Sequence, residues 1–112
     1  MLGLLSQMVT RWTTPATSEA VEAVVRRCCK RVIDRVGRTP LTMPSTEARG
    51  YIRALAISIV REHLDFVLEQ EFPSLMSKRD ALLQTSLEEV TSFVLKHCRE
   101  QLRTRFILRQ AA

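Results

Sequence analysis

The sequence predicts an all-α protein: a compact bundle of four to five helices joined by short loops. Three observations predict it. Apolar residues recur at helical spacing along most of the chain, and no segment alternates apolar with polar residues as a half-buried strand does. Only three glycines and four prolines interrupt 112 residues, so few turns are available and the elements must be few and long. The length suits one domain, residues 1–112, with a first helix in 1–14 packing on or beside a bundle that spans 17–109. Apolar residues at 46% and charged residues at 26% are ordinary globular usage, which argues against disorder throughout.

The first helix is read over 2–12, where Leu5, Met8 and Trp12 share one side; Thr13, Thr14 and Pro15 end it, because proline disfavours helix in the residue before it. The second runs over about 17–36, with Thr17 or Ser18 as its cap and Glu19 and Glu22 in its first turn, where the helix dipole favours acids. Its stripe is Val21, Val25, Cys28, Val32 and Val36, widened by Val24, Cys29 and Ile33, and Gly37 supplies the residue that helix ends prefer. "RTPLTMPS" at 38–45 is a loop. The third helix starts at a Ser45 or Thr46 cap and reaches Phe72, with Ile52, Leu55, Ala56, Ile59, Val60, His63, Leu64 and Val67 inward and Phe66 and Phe72 flanking; Pro73 stops it. Residues 74–109 read helical throughout, and Leu87, Val90, Val94, His97 or Cys98, Gln101 or Leu102, and Phe106 follow the core spacing. Capping signals in "SKRD" (77–80) and "TSLEE" (85–89) predict two pieces with a kink near Gln84–Ser86.

The net charge of +5 and pI of about 9.7 are unevenly spread. Residues 1–45 carry seven basic and three acidic groups, 46–72 three and five, and 73–112 seven and four. A basic–acidic–basic order suits helices that neutralise one another, within a chain or between copies. It suits nucleic acid less well, because a dedicated binder gathers its charge on one face. Fourteen of the seventeen basic residues are arginine, which either recognises anions bidentately or reflects arginine's GC-rich codons.

Three cysteines, two of them adjacent, imply no disulfide framework and a reducing compartment, most simply the cytoplasm. The N-terminal stretch, rich in Ser and Thr and free of acid before Glu19, has a faint transit-peptide character, which makes organelle targeting the second reading. The longest apolar run, "ALAISIV" at 54–60, is far below the ~18 residues of a membrane span, so no transmembrane segment is expected.

Cys28 and Cys29 lie on the apolar side of their helix. Burial raises a thiol's pKa, so they read as core and not as nucleophiles. Placing Cys28 and His63 on antiparallel helices puts them roughly 14 Å apart along the axis, too far to share an ion, and the adjacent pairs Cys28–Cys29 and His97–Cys98 lack zinc-ligand spacing. His63 reads as a partly buried histidine bonded to a backbone group or a carboxylate. No phosphate loop, nucleophile elbow or metal-hydrolase motif is present, so no catalytic residue, metal or cofactor is expected and the protein reads as non-enzymatic.

Two features point to partners. Phe106, Ile107 and Leu108 are consecutive and cover most sides of a helix, and Leu2 and Leu5 crowd the other end; together they are the candidate interface of a protein-interaction or self-association module, the alternative being that the first helix simply docks against the last. Basic residues crowd two helix C-termini: Arg27, Lys30, Arg31, Arg35 and Arg38 on one, Lys96, Arg99, Arg103, Arg105 and Arg109 on the other. They complement the helix dipole in any case and are the candidate contacts of the alternative reading, a nucleic-acid binder. A helix of about 20 residues, a loop near nine, a helix of about 26 and shorter ones after it is similar to the length pattern of a histone fold. A protein partner or a homo-oligomer is the leading expectation, with nucleic acid as the second.

Overall fold

A computed structural model describes residues 15–111, with backbone only at 106 and 109–111. Among the described residues the protein is all-α, with three helices where four to five were expected: α1, Pro15–Val36; α2, Ser45–Gln70; and α3, Arg79–Ala111. Short 3₁₀ turns at Thr39–Thr42 and Pro73–Lys78 join them. The expected helix at 2–12, with Leu2 and Leu5, lies outside the described residues.

The count differs because the 2–12 helix is not among the described residues and because 74–109 is not two pieces. Pro73–Lys78 is a 3₁₀ turn and everything after it is one 33-residue helix. "SKRD" does mark a helix start, at the junction into α3. "TSLEE" lies in the helix interior: Thr85 Oγ1 donates to the Ala81 carbonyl at 3.1 Å, one turn back in the same helix, and Ser86 is fully buried. Tertiary burial of Leu82, Leu83 and Leu87 carries the helix through the capping signal. The shorter helices expected after the long one are absent, so the histone-like length pattern is not kept.

The termini show which local signals held. Gly37 sits at φ +56° and donates its N–H to the Ile33 carbonyl at 3.1 Å, the left-handed end a glycine permits. Thr17 and Ser18 do not cap α1. The helix already includes Pro15, so Thr17 is buried inside its first turn and that turn contains no acid. Pro44 is the cap residue of α2, its carbonyl receiving the Ala48 N–H at 2.9 Å; Ser45, expected as a cap, turns its hydroxyl to Arg99 of α3. α2 ends at Gln70, two residues short of expectation. Phe72 leaves helical geometry at φ −137°, ψ 55°, as the residue before Pro73 must.

Both connections are short, so α2 runs antiparallel to α1 and α3, and α1 and α3 run in the same direction. Each pair of helices packs together around one core. Val24, Cys28, Val32 and Val36 from α1 meet Ile52, Ala56, Val60 and Leu64 from α2 and Leu87, Val90, Val94 and Cys98 from α3. Val25, Ile33, Leu55 and His63, expected inward, are only half buried at the margins of the stripes. The molecule is elongated, 54 × 36 × 22 Å, and not compact. Its long dimension matches α3, about 50 Å at 1.5 Å per residue. At the corner between α2 and α3, Arg79 grips Asp65 with two hydrogen bonds, Nε to Oδ1 at 2.5 Å and Nη2 to Oδ2 at 3.1 Å. Across the middle, Arg49 and Arg53 of α2 both pair with Glu88 of α3. These charges are half exposed and set register more than stability.

Candidate interaction surface

Among the described side chains, Cys98 is the last of α3 that the bundle buries. α1 has ended at Val36 and α2 has not started before Ser45, so the remaining ~20 Å of α3 extends past the helices it packs on. Leu102, one turn past Cys98, continues the inward stripe of α3 into this tail, while Ile107 lies on the opposite side of the helix. Leu102, read from the sequence as a possible stripe position, is 50% exposed; Ile107 is 54% and Leu108 64% exposed. Ile107 and Leu108 are therefore exposed apolar residues. Phe106 and Arg109 lie on the same helix, but their side chains fall outside the described residues, as do Leu2 and Leu5.

At the base of the tail lies a notch of about 90 Å³. The 3₁₀ turn contributes Pro40, Leu41 and Met43, and α3 contributes Leu95, Cys98 and Leu102. The sequence "RTPLTMPS" reads only as a loop, which conceals this wall. Leu41 and Met43, apolar residues between turn formers, were the available signal.

The basic residues divide. Arg27 and Arg31 belong to the α1–α2 seam: the Arg27 guanidinium lies over the Phe66 ring, 4.5 Å from its centroid, and Arg31 Nη1 donates to His63 Nε2 at 3.1 Å. Lys30 is exposed on the same helix. Arg35 and Arg38, at the end of α1, sit at the same end of the bundle as Lys96, Arg99, Arg103 and Arg105, because α1 and α3 run in parallel. Arg99 donates to Ser45 Oγ at 2.5 Å and pins the base of the tail to the start of α2. Two basic clusters more than 50 residues apart in sequence thus share one end of the molecule.

The cysteines are buried and free. Cys28 donates its thiol to the Ile59 carbonyl at 3.9 Å, and burial, with Cys29 beside it, pushes its pKa up to about 12. Burial likewise raises Cys29 and Cys98. A thiol so shifted is not a nucleophile at neutral pH. The Cys28–Ile59 contact also corrects an expected distance: His63 is one helical turn past Ile59, so the axial offset from Cys28 is about 6 Å and not 14 Å. The 3₁₀ turn in the connection shifts the register between the two helices. Among the described residues no group of three His, Cys, Asp or Glu side chains comes together to hold a metal ion, and no helix is long and apolar enough to cross a membrane.

His63 is half buried, and burial, with Arg31 and Arg27 nearby, lowers its pKa against the opposing pull of Glu62. Its unprotonated Nε2 receives the Arg31 guanidinium. Among the described residues, Phe93, 52% exposed on α3, Met76, 42% exposed on the turn before it, and Phe66 are the other exposed large apolar side chains. Comparison with protein-family models, curated proteins and solved structures gave no match to this chain.

Proposed function

We propose that this protein is a non-enzymatic interaction module that binds another protein or a second copy of itself through the α3 tail. One observation carries the reading: the tail continues past the bundle with Leu102, Ile107 and Leu108 exposed, an arrangement that costs water contact with apolar surface unless a partner covers it. The notch between the 3₁₀ turn and Leu102 supports it by offering an apolar recess at the root of the tail. The raised thiol pKa values support the absence of a cysteine nucleophile.

Light scattering and affinity capture test it. The expected result is a mass above the 12.8 kDa of one chain, or a partner that copurifies, with either lost in the Ile107→Asp/Leu108→Asp variant. A monomer that captures nothing, unchanged by the substitutions, rejects the reading.

The gathering of Arg35 and Arg38 with Lys96, Arg99, Arg103 and Arg105 favours a second reading, contact with nucleic acid through the basic end. If several phosphates are neutralised there, affinity for mixed-sequence duplex falls by orders of magnitude between about 50 and 200 mM salt. Absence of binding at the lower salt leaves these arginines to protein partners.

A further inference from the structure

We propose that the chain associates head to tail with a second copy of itself. The basic, apolar tail of one copy (Leu102, Arg103, Arg105, Ile107) docks on the acidic corner of the next, where α2 turns into α3 (Glu69, Glu71, Met76). The inference rests on the tail being an interaction surface and names what covers it.

Charge complementarity carries the choice of occupant. Because α1 and α3 run in parallel, their N-termini share one end of the molecule and their C-termini the other. At the corner end, residues 15–25 and 65–80 hold six acids and two bases. At the tail end, residues 34–49 and 96–105 hold seven bases and three acids. The helix dipoles favour this distribution within each helix, and parallel packing adds the helices into one polarised molecule. The groups in question are uncommitted: among the described residues Glu69, Glu71, Arg103 and Arg105 are exposed and form no ion pair. Each end also presents apolar surface, Met76 at the corner (42% exposed) and Leu102 and Ile107 on the tail.

The two surfaces cannot meet within one copy. Roughly 35–40 Å of α3 separates its first turn from Leu102–Ile107, and the tail points away from the corner. Tail-to-tail pairing of two copies brings arginines face to face, which like charge opposes. Tail-to-corner pairing matches sign and leaves one free tail at one end of the pair and one free corner at the other, so the contact is heterologous and does not stop at two copies. With ~20 Å of helix in each contact, the interface belongs with the small, weak ones, below about 1,200 Å².

The test is sedimentation velocity and light scattering on the full chain as concentration rises, at about 50 and 500 mM salt, a range over which surface charges become screened. The expected mass climbs with concentration beyond two copies and returns toward 12.8 kDa in high salt. Arg103→Glu/Arg105→Glu and Glu69→Arg/Glu71→Arg are each expected to be monomeric, and an equimolar mixture of the two to reassemble, because reversed tail then meets reversed corner. All four positions lie outside the core, so circular dichroism and melting are expected to be unchanged. A wild-type monomer at every concentration, a mass that stops at two copies, or a mixture that stays monomeric overturns the proposal. If Ile107→Asp/Leu108→Asp abolishes assembly while the charge reversals leave it intact, the head-to-tail mode fails and the interaction reading stands. If none of the variants changes mass or capture, both fail.

Discussion

Thr91 sits on the buried face of α3, completely inaccessible, and its hydroxyl has no hydrogen-bond partner among the described residues; Ser86 is in the same position one and a half turns earlier. An unmatched buried hydroxyl costs ~1–3 kcal/mol. Valine keeps the shape of threonine and removes that cost, so Thr91→Val is expected to gain about 1 kcal/mol. In a domain of this size that raises the melting temperature by about 4 °C or more, which calorimetry reads directly. A lower melting temperature would show that the hydroxyl is satisfied in solution. His63 yields a pH prediction. Its folded pKa lies below the ordinary 6.5, because burial and the Arg31 and Arg27 guanidinium groups oppose the imidazolium. The unfolded chain therefore binds the proton more readily. The His63 contribution is fully present above pH 6.5 and is lost as pH falls through 6.5 toward the depressed folded value. The urea midpoint is expected to be lower at about pH 5 than at 7.5, with the difference reduced in His63→Gln.

At the scale of elements, helix boundaries depend on competition between local signals and packing. Gly37 is a position where the local signal is decisive. Its φ of +56° is cheap only for glycine, and a Cβ there meets nothing within 4 Å, so substitution costs backbone strain without any clash. Gly37→Ala is expected to destabilise by about 1 kcal/mol, with Gly37→Asn costing less because asparagine tolerates the left-handed region. Chemical denaturation of the pair separates strain from packing, since a packing defect would penalise the larger asparagine more. The opposite case is "TSLEE". Its serine and glutamate have the spacing of a capping box, yet Ser86 and Leu87 face the core. Burying that face outweighs the ~1 kcal/mol a cap contributes.

For the whole molecule, the decisive feature is the mismatch of helix lengths. α1 has 22 residues and α2 has 26, while α3 has 33, so the bundle cannot cover α3 to its end. The tail adds surface without adding core. Ile107→Asp/Leu108→Asp is accordingly expected to leave the melting temperature within about 2 °C of the parent, because exposed positions seldom contribute more than ~0.5 kcal/mol. Association is where the same variant is expected to differ. A drop well beyond that range would mean the tail folds back on the bundle.

The amino-acid sequence by itself determined the class and most of the core. Period-3.6 stripes put Val24, Cys28, Val32, Ile52, Ala56, Val60, Leu64, Leu87, Val90 and Val94 on the correct faces, because a helix obliges residues three and four apart to share a side. It also marked Gly37 and Pro73, whose backbone restrictions act without help from neighbours. Ile107 and Leu108 were legible as excess apolar residues on one helix. Tertiary structure alone decided the rest. Whether 74–109 makes one helix or two depended on what buries Ser86. Whether Leu102 belonged to the core depended on where α1 and α2 end, and whether Ser45 capped its helix depended on Arg99. That Arg35 and Arg38 lie toward the same end as Arg103 and Arg105 followed from the parallel course of α1 and α3. Each of these is a relation between residues distant in the chain, and local periodicity holds no term for it.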